Sequence, residues 1–368
     1  MPLSRRPSAD GPVVDALMSV NRHFFQRLRP GHCAGLLLAG LFSVSALAQN
    51  TPTPRTPDAA SAARASVPAE RDIGQWLNRL HEASRRRAYM GTFVVTVGSE
   101  MAASKIWHVC DGTRQVERIE TLTGTPRTTL RMNDEVMTFE PGSRTVWVEK
   151  RDAFRLFPDF LNTPANHIAD HYVARGVKTD RIAGFEADVV DFSPKDQHRF
   201  GYRIWSEKKT GLVIKLQTID ASQNVLEQVA FTELEFNAPL SVDGLARHMN
   251  QTEGYQVQPV VTHRVNPEQQ GWSLKGDVLG FSPAHCHSRS DAQSAAQAPM
   301  QCVFTDGMAS VSLFVEPFDP KKHVRDKMLA SGATHSVALR VGKHWVTAMG
   351  EAPPATLRQL AAAVESRP

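Results

Sequence analysis

The chain has 368 residues, of which 41% are hydrophobic and 22% charged, and its formal net charge is +4. That is too long for one ordinary core and long enough for two. Residues 1–48 contain five arginines and two aspartates, so removing them as a leader leaves about +1. No basic footprint for nucleic acid then remains.

The leader is read from residues 34–46, AGLLLAGLFSVSA, which follow Arg22, Arg27 and Arg29 and run into the small-x-small pattern Ala46-Leu47-Ala48. Such a stretch is a secretory signal, too short to span a bilayer. An uncleaved anchor is the alternative, and Met18 is an alternative start that gives a more typical leader length. Residues 49–70 mix Pro, Thr, Ala and Ser without apolar periodicity and are expected to form a disordered tether. Export changes how the cysteines read. Cys33 leaves with the leader, Cys110 is expected free and buried at a strand end, and Cys286 and Cys302 flank a Ser/Ala/Gln-rich stretch. A disulfide is the leading interpretation of that pair, contributing about 3 kcal/mol in the chain-entropy model. The alternative is a zinc site built from His285, Cys286, His287 and Cys302.

Order begins at Asp72, a candidate N-cap followed by Ile73, Trp76, Leu77 and Leu80 at the spacing of one buried helical face. Arg85, Arg86 and Arg87 fall in the last turn, where positive charge complements the helix dipole. From Gly91 the period changes to two. Short strands are predicted over 92–97, 104–110, 114–122, 126–132, 135–140 and 144–149, with Gly112, Gly124, Asn133-Asp134 and Pro141-Gly142 at the turns. Residues 151–176 interrupt them with Phe154, Phe157 and Phe160 around Pro158 and a helix from Pro164. Strands resume over 184–192, 200–207, 212–220 and 225–236. Regular spacing without intervening helices implies an antiparallel meander, and about ten strands must curl or close, leaving helices to cover the concave face. The fold class is therefore mainly β, an α+β chain with a large sheet domain over 71–238, a linker over 239–248 and a smaller α+β domain over 249–368. The smaller unit is given strands near 256–264, 300–304, 309–316, 335–341 and 344–349, and a terminal helix from Pro354 through Leu357, Leu360 and Val364.

No hydrolase elbow, dinucleotide fingerprint or P-loop occurs, and no nucleophile, base and orienting group can be nominated. His167 and His171 share a helical face, but the residues between them are Ile-Ala-Asp, without the glutamate of a zinc protease, so two solvated helix residues are the simpler reading. Trp107, Trp147 and Trp205 fall in strands. With Phe154, Phe157 and Phe160 they either fill the core of a curled sheet or line an apolar cavity wide enough for an acyl chain.

HEASRRRAYMGTFVV (81–95), the run RFGYRIWSEKKTGLVIKLQTIDASQNVLEQVAFTELEF (199–236), FTDGMASVSLFVEPF (304–318) and GKHWVTAMGEAPPATLRQLAAAVE (342–365) occur in the order and with the domain break of the RseB/MucB family. The chain resembles that family from about Asp72 to Val364. The 284–302 insert is longer and more cysteine-marked than the family pattern. The resemblance implies an unclosed β-barrel like that of the lipoprotein carriers LolA and LolB, followed by a small domain. It also implies a non-enzymatic periplasmic regulator of the sigma-E response, with no cofactor. Its partners would be the periplasmic domain of a membrane-spanning anti-sigma factor of the RseA/MucA type, and lipid or lipopolysaccharide acyl chains. Arg85 to Arg87 become candidate contacts for lipid phosphates or acidic peptide residues. A lipoprotein or lipid carrier is the runner-up, and self-association into a homo-oligomer is compatible with the sequence. If the leader is processed, N-terminal sequencing of the exported protein should begin at Gln49. Retention of residues 34–46 would overturn that expectation.

Overall fold

The computed structural model describes residues 73–150, 165–274, 278–289, 300–323 and 328–366. The leader, the tether, the Asp72 cap and the segment with Phe154, Phe157 and Phe160 lie outside them.

Helix α1 (Ile73–Arg86) forms where the periodicity places it, and Trp76, Leu77, Leu80 and Ala83 are its buried face. Arg86 pairs with Glu82 one turn back at 2.9 Å, an exposed contact worth about 0.3–0.5 kcal/mol. Three residues later the chain enters β1 (Tyr89–Val97), followed by β2 (Glu100–Cys110), β3 (Gln115–Thr121), β4 (Thr128–Met132), β5 (Glu135–Glu140) and β6 (Thr145–Lys150). Helix α2 (Ala165–His171) leads into β7 (Tyr172–Ile182), β8 (Phe185–Pro194), β9 (Gly201–Glu207), β10 (Val213–Ile219) and β11 (Val225–Phe236). After the short helix α3 (Val242–Ala246), β12 (Gln256–Val260) completes one sheet of twelve strands, in the order β12-β6-β5-β4-β3-β2-β1-β11-β10-β9-β8-β7.

Two antiparallel meanders are thus joined edge to edge by β1 and β11. The outer strands β12 and β7 do not pair, so the sheet is unclosed. Strand β7 begins within the interrupting segment 151–176 and runs on to Ile182, through residues the sequence assigned to no strand. A register shift between Gly176 and Lys178 breaks the period-two alternation there, which is the signal the sequence reading relies on. Helices α1 and α2 pack Trp76, Leu77, Leu80 and Ile168 against Tyr172, Phe192, Tyr202, Ile204 and Leu216 of β7–β10.

The second sheet is built from β13 (Thr262–Arg264), β15 (Ser282–Arg289), β16 (Met300–Thr305), β17 (Ser310–Pro317), β18 (Met328–Ser331), β19 (Thr334–Val341) and β20 (His344–Gly350), whereas β14 (Trp272–Leu274) pairs with β21 (Val364–Ser366). Helix α4 (Pro354–Ala362) starts with proline at its first turn and buries Leu357, Leu360 and Ala361 against Phe281, Phe304, Val311, Leu313 and Val346. Val364, expected on this helix, is buried in the same core from strand β21. The single strand expected near 256–264 divides. Gln256–Val260 pairs in parallel with β6 of the large sheet, and Thr262–Arg264 with β15 of the smaller one. Pro259 is tolerated because β12 is an edge strand.

Candidate functional site

The two sheets meet at a buried polar joint. Asp306 sits in the turn between β16 and β17, where its Oδ1 accepts from the amides of Met308 (2.9 Å) and Ala309 (2.8 Å). Its Oδ2 accepts from Arg199 Nη1 at 2.6 Å and from the Tyr172 hydroxyl at 3.0 Å, and the Arg199 and Asp306 side chains are both 0% exposed. The remaining donors of Arg199 reach Asp196 Oδ1 (3.0 Å, from Nε) and the Leu279 carbonyl (2.5 Å, from Nη2). Its guanidinium lies between the rings of Tyr172 (5.8 Å) and Phe281 (5.3 Å), one from each sheet region. A buried ion pair is tolerated only when its leftover donors and acceptors are satisfied in this way. Burial, and after it the Asp306 charge, pushes the Tyr172 phenol well above its ordinary pKa, so the hydroxyl stays a donor. Burial, with the Arg199 charge next, holds His171 below its usual value.

Local backbone is shaped to this contact. Leu279 adopts φ +57° and Gly280 φ +79° in the tight turn whose Val278 and Phe281 exchange backbone hydrogen bonds. A Cβ at Gly280 would stand 2.8 Å from Arg199 Nη2, so only glycine admits the guanidinium here. The left-handed conformation of Leu279 is unfavourable for a side-chain residue, and it is held where its carbonyl receives Arg199. Beside the ion pair, His167 Nδ1 donates to the Asp306 carbonyl (3.2 Å) and Thr356 Oγ1 of α4 donates to the His198 carbonyl (2.9 Å). Met308 is buried in the apolar core of α1, α2 and β7–β10.

A second feature lies near the other edge of the large sheet. Ser241 caps α3 through the Gly244 amide (3.1 Å), and Val242 and Leu245 pack on Val109 and Val116. Arg114 ties the helix to the sheet by pairing with Asp243 (2.8 Å) and Asp111 (2.9 Å). Next to this anchor is an open cavity of about 520 Å³ whose apolar lining is Met132, Met137, Val148, Ala246 and Met249, with Arg114, Arg247, Glu135 and Asp243 among its polar residues. Methionine linings adapt to the shape of an apolar occupant.

The three tryptophans singled out in the sequence are not brought together. Trp205 is buried in the core beneath β1 and β9–β11, donates from Nε1 to Asp180 Oδ2 (3.0 Å) and carries Lys215 over its ring at 4.4 Å. Trp107 carries Lys105 (5.2 Å) and Arg118 (4.7 Å) over its ring and packs against the α3 anchor. Trp147 is 37% exposed, on the strand beside β12. Arg85 and Arg86 end α1, Arg86 is exposed, and Arg87 follows with its carbonyl accepting from His108 Nδ1 at 2.8 Å. The side chain of Arg85 lies outside the described residues. Cys286 and Cys302 face each other on β15 and β16 and form a disulfide with a Cα–Cα distance of 4.1 Å. Cys110 is a free thiol at the end of β2, part-exposed rather than buried, because it is the last strand residue before an exposed turn over 111–113. His167 and His171 are part-exposed and also reach the joint and each other (ring centroids 5.5 Å apart), so they are more than two solvated helix residues.

The sequence reading missed Arg199, Asp306 and Tyr172 as a unit. Arg199 and Asp306 lie 107 residues apart, and nothing in local periodicity pairs them. What the fold defines is a two-sheet binding protein, a curled open sheet with an apolar cavity, latched to a smaller sheet by one buried ion pair. Residues 72–250 match the MucB/RseB N-terminal domain and residues 266–365 match the MucB/RseB C-terminal domain, so the chain belongs to the MucB/RseB family. It is 29% identical over 308 residues to the sigma factor AlgU regulatory protein MucB of Pseudomonas aeruginosa, covering 81% of this chain and 93% of that one. With the sigma-E factor regulatory protein RseB of Escherichia coli K12 it shares 22% identity over 304 residues, 82% of this chain and 92% of that one. Among solved structures it is similar to the Pseudomonas aeruginosa MucA/MucB complex (26% identity, TM-score 0.62) and to MucB in complex with MucA(peri) (25% identity, TM-score 0.60), each covering 81% of this chain and 100% of the other.

Two outcomes are expected. Asp306→Ala leaves the Arg199 charge buried without its main partner and should lower unfolding stability by about 3–5 kcal/mol in urea titration. A loss below 1 kcal/mol would mean that the ion pair is solvated in solution. Thiol labelling of the leader-free protein, denatured without reductant, should modify one cysteine, Cys110. Three modified cysteines would remove the disulfide.

Proposed function

We propose that this protein is a periplasmic negative regulator of a sigma-E (AlgU-type) envelope stress response. It binds the periplasmic segment of a membrane-spanning anti-sigma factor, shields that segment from regulatory proteolysis, and releases it when lipid or lipopolysaccharide occupies the large domain. The observation that carries the reading is the presence of both family domains in order, in a chain that spans the whole of a relative solved with MucA. A carrier of lipids or lipoproteins needs no second domain, so the 266–365 match favours the regulator.

The physical basis is linkage. Two ligands that prefer different states of one protein weaken each other by the same free energy. The lipid limb of the proposal rests on Phe154, Phe157 and Phe160 together with the methionine-lined cavity, whose volume falls in the usual range for small-ligand sites. The peptide limb rests on the smaller domain and the cleft between domains, with Arg85, Arg86 and Arg87 as anion contacts at the end of α1 and just after it. Affinity for an anti-sigma peptide, titrated at rising concentrations of an acylated amphiphile, should fall by roughly 5- to 150-fold. The double substitution Phe157→Ser and Phe160→Ser should abolish that fall while leaving peptide affinity in the absence of lipid nearly unchanged. A peptide affinity that stays constant while lipid is demonstrably bound would leave a static protector and end the switch.

A further inference from the structure

Helices α1 and α3 cover opposite faces of the large sheet. In β2, Ile106 belongs to the core that includes Ala83 of α1, whereas Val109 belongs to the one that includes Val242 and Leu245 of α3. Residues of opposite parity in a strand point to opposite faces, so the two helices lie on different sides. The methionine-lined cavity is on the α3 side. Its floor is Met132, Met137 and Val148 of β4–β6, and its far wall is the linker itself, Ala246 of α3 followed by Arg247 and Met249 of the 3-10 turn Arg247–Asn250. An occupant here would touch both the large sheet and the chain that leads through β12 into the smaller one.

Two properties of the lining define the ligand. The apolar part is mostly methionine, an unbranched side chain that adapts to a flexible occupant. Met249 is buried there with Leu130, Met137, Phe139 and Val146, so an entering alkyl chain competes with it for the same surface. Among the polar residues, Asp243 is held by Arg114 at 2.8 Å, and Glu135 stands opposite Lys150 in the β5–β6 register. Arg247 is exposed on the linker wall, where a charge-assisted contact to an anion is open to it. At about 520 Å³ the cavity has room for one chain rather than several.

We propose that this cavity is a linker-side site for a single-chain anionic amphiphile, its alkyl part between Met132, Met137 and Met249 and its phosphate or carboxylate head on Arg247. The site rests on the lipid limb of the regulator reading and gives that limb a place and a ligand class, on the face of the sheet away from α1. Chain entry bears on Met249 and on the Arg114–Asp243 pair, the contacts that hold the linker to the sheet.

The test is methyl NMR on the leader-free protein with isotope-labelled methionine methyls, titrated with decyl phosphate below its micelle concentration. Met132, Met137 and Met249 report on the cavity, and Met300, buried in the smaller core, is the control. Saturable shifts are expected at the three while Met300 holds, with affinity rising about fourfold per methylene from octyl to decyl phosphate. Inorganic phosphate should move none of them. Decyl maltoside, with the same chain and a neutral head, should bind about tenfold more weakly, and Arg247→Gln should bring decyl phosphate down to that level while leaving decyl maltoside unchanged. Ala246→Phe, which places a ring in the cavity from the linker wall, should abolish the shifts with Met300 at its usual position. Cavity methyls that stay still, an affinity independent of chain length, no loss in Arg247→Gln, or unchanged binding in Ala246→Phe would each overturn the proposal. If peptide affinity responds to decyl phosphate while these methyls do not, the site falls and the regulator reading stands. If the methyls shift while peptide affinity holds, the site stands and the release step falls.

Discussion

The ion pair of Arg199 and Asp306 is the contact on which the arrangement of the two sheets depends. Neither charge reaches solvent, so each must find all its partners within the protein. Those partners come from five places: the turn amides of Met308 and Ala309, the Tyr172 hydroxyl, Asp196, and the carbonyl of Leu279. Each bond is directional. Apolar residues of similar volume could hold the sheets together as firmly, but they would accept many relative orientations. The ion pair accepts one, and the left-handed backbone at Leu279 and the glycine at 280 are what that orientation requires of the chain. Met308 then fills the apolar core beneath α1 and α2 because the turn that presents it is fixed by the carboxylate two residues before it.

How far the sequence disclosed this depends on the range of each interaction. Elements set by local rules were legible: α1 from its apolar spacing, β1–β6 and β8–β11 from alternation and turn residues, the start of α4 from Pro354. Features set by pairing across the chain were not. Strand β7 hides behind a register shift, β15 carries a polar SPAHCHSR sequence that only its neighbours β13 and β16 make a strand, and β12 joins the large sheet because β6 offers it an open edge. Val364 shows the same limit, since helical spacing and burial in a strand against β14 both call for an apolar residue there.

Candidate site residues follow the same division. Alternation correctly marks Trp107, Trp147 and Trp205 as strand residues, but it cannot say which patch of a twelve-stranded sheet each will meet. They lie against the α3 anchor, at the β12 edge and in the central core, respectively. The family-like stretches 199–236 and 304–318 already contained Arg199 and Asp306. What they lacked was any sign that a residue at the head of one strand and a residue in a hairpin turn would meet. The histidines at 167 and 171 were read through their mutual spacing, when their environment is set by Asp306 and Arg199 from elsewhere in the chain.

The path of the backbone gives the joint a mechanical meaning. Strand β12 lies on one edge of the open sheet, and one residue after it the chain enters β13 of the smaller sheet. The buried ion pair holds the smaller sheet to the region of β7–β9, at the opposite edge. The smaller sheet is thus attached to both ends of a sheet whose own edges do not pair, and it acts as the clasp of an unclosed barrel. The single residue Val261 between β12 and β13 leaves little slack, so a change in curvature anywhere between β6 and β7 must be taken up either at this connection or at the joint. Before β12 the chain is pinned to the large sheet by Val242, Leu245 and the Arg114–Asp243 pair, and at the opposite edge the joint holds it through Arg199 and Asp306. An occupant that altered the curl of the large sheet would therefore act on the smaller one through these two attachments.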